Sequence, residues 1–139
     1  MTKQILISGM QPTGRLHLGN YLGALKHFVD LTASERYLTF FFIADLHSLT
    51  ETFDPKKKHG QILDLAVNYC AAGIDTKNAV IFLQSATQGS TELAWILSTL
   101  TPFGELRRMT QFKDKSEHDP HNVNVGLFKI GRASCRERV

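Results

Sequence analysis

The chain has 139 residues, of which 42% are hydrophobic and 21% are charged, a composition typical of one globular domain. Its net charge of +3 does not indicate a nucleic-acid-binding surface, because residues 129–139 carry all of the excess and residues 1–128 hold twelve basic and twelve acidic side chains. The longest apolar run, around residues 40–44, is too short to span a bilayer, and the two cysteines give neither a disulfide framework nor a metal-ligand spacing.

Hydrophobic periodicity predicts three strands that alternate with helices, an order typical of a parallel, doubly wound α/β sheet with right-handed crossovers. Three strands make a small sheet with a bare parallel edge, so we expect the chain to be part of a larger domain. The predicted elements are a strand at 4–8, a helix at about 18–31, a strand at 38–44 covered on both faces, a helix from Asp54-Pro55 to Gly73, a strand at 79–83, a helix stopped by Thr101-Pro102, a helix over 104–115 and a polar loop over 117–124.

Three side-chain environments follow from the helical patterns. Cys70 falls on the apolar stripe of the second helix, and we expect it to be a small core residue. Trp95 is likewise expected in a core. The run 56–58 is three lysines in a first helical turn, and we expect them to be solvated and without a functional role.

Residues 8–21 carry the strongest functional signal, because a strand, a Gly-rich turn and a helix start follow one another there. Free backbone N–H groups and the helix dipole favour a phosphate at such a position. His17 can donate an N–H to a phosphate oxygen, and Asn20 lies on the same face of the first turn. Gly19 lets a nucleotide approach the backbone. Gln11 and Thr13 add polar groups from a loop that Pro12 stiffens.

This motif resembles a signature of the class I aminoacyl-tRNA synthetases. His17-Leu18-Gly19-Asn20 stands where that class carries its "HIGH" tetrapeptide, and residues 8–25 are similar to the opening of the tryptophanyl-tRNA synthetases. Gln11 and Asn20 favour the tryptophanyl over the tyrosyl enzymes. The resemblance covers residues 1–128 in order, and its further blocks are 43–50, 73–75, 82–85 and 104–115.

The resemblance implies a Rossmann-like doubly wound parallel sheet, the first half of a class I catalytic domain, that activates L-tryptophan with ATP and transfers it to tRNA(Trp). It implies that Mg²⁺ accompanies ATP, that the protein itself has no metal site, and that the full-length protein is a homodimer. Together with the reduced cysteines and the absence of a signal peptide before the first strand, it favours a cytoplasmic location. The implied site residues are His17 and Asn20 for catalysis, Gln11, Pro12, Thr13, Gly19, Asn20 and Lys115 for ATP, and Ile7, Gly9, Ala44 and His47 for the amino-acid pocket.

The sequence departs from the family at its end. It contains no second signature of the "KMSKS" type, whose lysines bind the phosphates in the family, and we therefore expect this truncated chain to be inactive. We assign 1–128 to the N-terminal part of the catalytic domain. Residues 129–139 are expected to be non-native, because one DNA sequence that would encode them matches a common sequencing-library adapter. A flexible basic tail is the alternative.

Other classes of function remain open at this point. A small nucleotidylyltransferase also handles ATP with a His-containing motif after its first strand, but it would need a second His where Asn20 stands. A P-loop NTPase fits the glycine spacing of 9–14, but Arg15-Leu16 replaces the expected Lys-Ser/Thr pair. A truncated product without activity, or a dimerising scaffold, is the non-enzymatic alternative.

Overall fold

The computed structural model describes residues 3–127, except for the side chains of Gln111, Lys115 and His118. Three strands form one parallel sheet in the order β1-β2-β3: β1 (Gln4–Met10), β2 (Tyr37–Ile43) and β3 (Ala79–Leu83). Gln4 pairs with Tyr37, and Thr39 pairs with Ala79. The predicted parallel α/β class is therefore confirmed, and the carboxyl ends of all three strands lie at one edge of the sheet.

The helices follow the strands in the predicted order. The first crossover is a continuous helical stretch made of α1 (Leu18–Asn20), a π-helical segment (Tyr21–Leu25) and α2 (Lys26–Ala33). The second is α3 (Pro55–Ala71), which begins behind the predicted cap Asp54. The remaining helices are α4 (Gln88–Leu100), α5 (Phe103–Leu106) and α6 (Thr110–His118), together with short 3₁₀ turns at His47–Thr50, Gln84–Ala86 and Pro120–Asn122.

The chain divides into two compact units. The first contains the described residues up to Ser48 together with Asp54–Gln84, and the second contains Leu49–Phe53 and the described residues from Ser85 onward. The whole sheet and the helices α1, α2 and α3 belong to the first unit, as does every candidate site residue except Lys115. Among the described residues, no helix has the length and apolar character needed to cross a membrane.

The core of the first unit lies on one face of the sheet. Phe28 of α2 stacks on Phe41 of β2 with ring centroids 4.4 Å apart, and Tyr69 of α3 meets Phe28 edge-on at 6.0 Å. Both helices pack on this face because two right-handed crossovers that advance in the same direction place their helices on the same side. The other buried residues of this cluster are Leu25, Ile43, Leu65, Ile74 and Ala79.

The opposite face of the sheet is apolar but only partly covered. Ile7 and Leu38 are 44% and 43% exposed, and Phe42 contacts Phe82 with ring centroids 6.0 Å apart. The sequence predicted β2 to be covered on both faces. The structure buries one face fully, with Thr39, Phe41 and Ile43, and leaves the other half-buried.

Three helix predictions need correction. Cys70 is exposed, and Trp95 is 64% exposed, so neither is a core residue. The helix expected over 104–115 is two helices, α5 and α6, and α6 continues into the segment expected to be a loop. At the junction, the Met109 N–H donates to the Leu106 carbonyl at 3.2 Å, which closes a tight turn between the two helices.

Candidate functional site at the carboxyl edge of the sheet

The loop from β1 to α1 is held close to the sheet edge by a buried proline. Pro12 is buried, whereas Thr13 is exposed and is therefore accessible to a ligand. The Thr13 N–H donates to the Gln11 carbonyl at 3.0 Å, which tightens the turn. Gly14 has a φ of +131°, a conformation that favours glycine, and a Cβ built there would meet nothing within 4 Å. The backbone after Thr13 is therefore open to an approaching ligand.

His17 and Asn20 form a reciprocal cap at the start of the helix. The backbone N–H of His17 donates to Oδ1 of Asn20 at 3.1 Å, and the backbone N–H of Asn20 donates to Nδ1 of His17 at 3.3 Å. Because Nδ1 accepts, the proton of the neutral ring resides on Nε2, which is left as its donor. The imidazole is exposed and does not point into packed hydrocarbon. The structure thus brings the two predicted catalytic residues together.

Gly19 lies under the His17 ring. A Cβ at this position would be 3.0 Å from both Cε1 and Nδ1 of the imidazole. A side chain here would require the exposed His17 ring to shift by a few tenths of an ångström. Glycine at residue 19 therefore lets the imidazole sit close over the backbone.

Gln11 carries an unsatisfied acceptor at the end of β1. Its Oε1 is buried and has no hydrogen-bond partner among the described residues. Buried polar atoms without a hydrogen-bond partner are uncommon in native proteins, because burying such an atom without a hydrogen bond costs about 1–3 kcal/mol. An acceptor of this kind in a loop predicted to bind ATP fits a site whose donor comes from a ligand or from water.

The turn after β2 is fastened to both neighbouring strands. The Ala44 N–H donates to the Met10 carbonyl at 2.8 Å, which ties this turn to the end of β1. The His47 N–H donates to Oε1 of Gln84 at 3.1 Å, which ties it to the segment after β3. Both His47 and Gln84 are partly buried. The carboxyl ends of the three strands are thereby joined into one hydrogen-bonded edge.

The four residues predicted for the amino-acid pocket occupy different positions at this edge. Ile7 and Gly9 share the half-buried face of the sheet, where they pair with Phe40 and Phe42. A Cβ on Gly9 would lie 2.4 Å from the Phe42 carbonyl oxygen and 2.8 Å from its ring, so close packing alone requires glycine there. Ala44 is 5% exposed, and its backbone and that of His47 are used in the contacts above.

The structure shows a contact for Lys58 that the sequence did not indicate, and it leaves the prediction for Lys115 untested. The side chain of Lys115, predicted near the ATP phosphates, lies outside the described residues, and its backbone belongs to α6 in the second unit. Lys58, to which the sequence assigned no role, is half-buried and reaches the Pro12 carbonyl at 3.4 Å and the Ser48 hydroxyl at 3.1 Å. The available signal was the position of α3, whose first turn follows directly on the turn after β2.

One titratable group beside the edge has a shifted pKa. Burial raises the pKa of the Tyr69 phenol well above its usual range, and its hydroxyl donates to the Phe42 carbonyl at 3.3 Å. No cluster of three or more His, Cys, Asp or Glu side chains within the described residues is arranged to hold a metal ion. The groups described at the candidate site are backbone amides and carbonyls, side-chain amides, hydroxyls, the imidazoles of His17 and His47 and the ammonium of Lys58.

Known proteins share both the sequence and the fold of this chain. The profile of the family described as tRNA synthetases class I (W and Y) matches residues 2–129. A tryptophan–tRNA ligase from Rickettsia conorii is 47% identical over 126 residues, which are 91% of this chain and 38% of that protein. One from Helicobacter pylori is 44% identical over 128 residues. The chain therefore spans a little over a third of the length of the curated relatives it matches.

Solved structures of tryptophanyl-tRNA synthetases are also similar to this chain. The crystal structure of tryptophanyl-tRNA synthetase from Campylobacter jejuni complexed with ADP and tryptophan is similar with a TM-score of 0.81 and 38% identity. The match covers 91% of this chain and 39% of that one. The enzyme from Mycoplasma pneumoniae matches with a TM-score of 0.78 and 35% identity. At these levels the likeness extends to sequence as well as fold.

Proposed function

This chain belongs to the class I tRNA synthetases (W and Y), and from that premise we propose that its full-length parent joins L-tryptophan to tRNA(Trp) with ATP. The observation that carries the proposal is the juxtaposition of the Gln11–Gly14 loop with the His17–Asn20 cap at the carboxyl end of β1. Relatives that are 44–47% identical and are named tryptophan–tRNA ligases support the choice of tryptophan.

The first half of the proposed reaction is nucleotidyl transfer. A carboxylate oxygen of tryptophan attacks the α-phosphorus of ATP, the bond to the β-phosphate oxygen breaks, and pyrophosphate leaves. Tryptophanyl-adenylate results, and the tryptophanyl group then passes to tRNA(Trp) with release of AMP. Positioning and neutralisation of phosphate charge supply most of the rate of such a reaction, so the protein needs donors in fixed places more than a nucleophile.

The β1–α1 loop and the helix start supply those donors in our proposal. Gln11, Pro12, Thr13, Gly19 and Asn20 bind ATP, and His17 donates its Nε2–H to a phosphate oxygen as charge develops in the transition state. The support is the exposed imidazole, its Nδ1 engaged as an acceptor, and the open backbone at Gly14. Mg²⁺ bound to ATP would neutralise part of the phosphate charge.

We assign the amino-acid pocket to the neighbouring strand end. Ile7, Gly9, Ala44 and His47 line it in this proposal, since ligands of open α/β sheets bind beyond the carboxyl ends of the strands. The fastening of His47 through its backbone to Gln84 supports the assignment, because it fixes the turn that presents the imidazole. Lys115 remains a proposed phosphate contact.

The remaining expectations concern the whole parent. We propose that residues 1–128 are the N-terminal part of its catalytic domain and that 129–139 are non-native, and the family match that ends at residue 129 supports this boundary. A homodimer in the cytoplasm is the expected state of the full-length protein.

Tryptophan-dependent exchange of labelled pyrophosphate into ATP tests the proposal on the full-length parent, expressed from its genomic locus. Tyrosine is the matched control, because the family includes enzymes for both amino acids. We expect exchange with tryptophan and none above background with tyrosine. Exchange that needs no amino acid would favour a nucleotidylyltransferase, and exchange with tyrosine alone would overturn the choice of substrate.

A further inference from the structure

Lys58 connects the two loops that form the candidate site. Its Nζ donates to the carbonyl oxygen of Pro12 at 3.4 Å and to Oγ of Ser48 at 3.1 Å. Pro12 belongs to the loop after β1, and Ser48 belongs to the turn after β2. One ammonium group therefore bridges segments that are 36 residues apart in sequence and that come from adjacent strands.

The neighbouring lysines do not take part in this bridge. Asp54 caps α3 by accepting from the Lys56 N–H at 3.0 Å, and Lys57 lies 3.8 Å from the same carboxylate with its side chain 76% exposed. Lys58 is the member of the run whose side chain is half-buried. A lysine in the first turn opposes the helix dipole, so the position of Lys58 is explained by its contacts to the two loops and not by helix stability.

The acceptor in the second loop is itself held rigidly. Ser48 is 1% exposed, and its hydroxyl donates to the Asp45 carbonyl at 2.7 Å while it accepts from Lys58. Its backbone N–H donates to the Ala44 carbonyl at 3.1 Å. The ammonium thus connects the Pro12 carbonyl to a buried anchor, and movement of the β1–α1 loop away from the sheet edge breaks that connection.

We propose that Lys58 is a positioning residue for ATP binding: it holds the Gln11–Gly14 loop against the turn after β2 and places positive charge beside that loop. The inference rests on the proposed function of the loop. Lys58 acts through Pro12 and Ser48 and is not itself a catalytic residue. Hydrogen bonds to charged groups are stronger than neutral ones, so removal of this ammonium has a larger effect than loss of an ordinary loop contact.

The test compares three variants of the full-length parent in the pyrophosphate-exchange assay. Lys58→Met keeps the aliphatic stem and removes the donors, Lys58→Arg retains both charge and donors, and Lys57→Met removes the adjacent exposed lysine. We expect Lys58→Met to raise KM for ATP about tenfold with a smaller change in kcat, because the loop contacts ATP in the ground state as well as in the transition state. Lys58→Arg should recover most of the affinity, and Lys57→Met should match the wild type.

Hydrogen exchange gives a readout independent of activity. In Lys58→Met we expect faster exchange of the amides of residues 13–17, with no change in the strands, and no such effect in Lys57→Met. If Lys58→Met changed neither the KM for ATP nor the hydrogen-exchange rates of these amides, the inference would be overturned. Equal effects of Lys58→Met and Lys57→Met would also overturn it. A wild-type parent without pyrophosphate-exchange activity would instead overturn the proposed function. The hydrogen-exchange measurement would then decide by itself whether Lys58 holds the loop.

Discussion

The imidazole of His17 occupies a position that serine, threonine, asparagine or aspartate usually takes at the start of a helix. It accepts the Asn20 N–H, and Asn20 returns the interaction through its side chain. A helix cap and a phosphate donor make different demands on the ring, because the first uses Nδ1 and the second uses Nε2. One residue can therefore serve both purposes at once, and the two purposes can be separated by substitution.

Two substitutions of His17 separate the cap from the catalytic donor. His17→Ala removes both, whereas His17→Asn supplies a good capping side chain without the imidazole. We expect His17→Ala to lower the free energy of unfolding by about 1 kcal/mol and His17→Asn to leave it nearly unchanged. Both variants of the full-length parent should lose about 10²–10³-fold in kcat for pyrophosphate exchange. Full activity in His17→Asn would show that the ring acts only as a cap.

Gly9 is set by packing against the neighbouring strand. A Cβ there would lie 2.4 Å from the Phe42 carbonyl oxygen, which is backbone and cannot turn away. We expect Gly9→Ala to destabilise the chain by about 1–3 kcal/mol in urea denaturation. Gly23→Ala is the control, since a Cβ at Gly23 meets nothing within 4 Å and alanine favours helix. Equal stability of the two variants would contradict the close approach of β1 and β2.

At the scale of elements, α3 is fixed to the sheet by a buried tyrosine. Tyr69 is fully buried, its ring meets Phe28, and its hydroxyl donates to the Phe42 carbonyl of β2. Burial favours the neutral phenol, so the pKa of Tyr69 is raised in the folded chain. The contribution of this group to stability is fully present below the unfolded pKa of about 10 and is lost as the pH rises above that value.

Alkaline unfolding tests this coupling. Between pH 10 and 11 the free energy of unfolding should fall by up to about 1 kcal/mol because of Tyr69 alone. Tyr69→Phe should be less stable than the wild type by about 1 kcal/mol at pH 8, because the Phe42 carbonyl loses a donor, and should show a shallower decline above pH 10. Urea denaturation followed at both pH values measures this. Parallel pH profiles of the two proteins would mean that another group titrates.

The elements with strong local signals were predictable from the sequence. The Asp54-Pro55 start of α3 and the bounds of β3 agree with the structure because a capping carboxylate, a proline and an apolar run act locally. The break between α5 and α6 was not predictable from the apolar residues 106, 109 and 112, because a spacing of three fits a 3₁₀ turn as well as an α-helix. Cys70 follows the buried Tyr69 by one residue, about 100° around the helix, which places it beyond the edge of the apolar stripe.

The candidate site was also predictable from the sequence only in part. The loop and the cap at residues 11–20 follow from a contiguous motif, so their elements could be placed from sequence. The bridge from Lys58 to Pro12 and Ser48 depends on tertiary packing, and a run of three lysines gives no local signal that one of them turns inward. Such contacts become predictable only when the order of strands at the sheet edge is known.

At the scale of the whole molecule, the chain holds one side of a proposed ATP site. The sequence contains no second lysine-rich signature, and the chain spans 38% of its relative from Rickettsia conorii. Stabilisation of a transition state depends on all its hydrogen-bond donors being in place, because each donor neutralises charge that the other donors do not neutralise.

We therefore expect the 139-residue chain to catalyse pyrophosphate exchange at least about 10³-fold more slowly than the full-length parent. Assays of the two proteins at equal molar concentration measure the difference. As a control, the remainder of the parent is expressed separately and added to the chain, which supplies the groups that the chain lacks. Exchange by the chain alone within tenfold of the parent would show that the phosphate donors present here suffice.

Within residues 3–127, β1 and β3 are the outer strands of the sheet, and one face of the sheet carries partly exposed isoleucine, leucine and valine side chains. The outer edge of each of these strands carries backbone amide and carbonyl groups that can pair with another strand. The exposed apolar side chains favour such association. We therefore expect the chain, when it is produced by itself, to associate with other copies as its concentration rises.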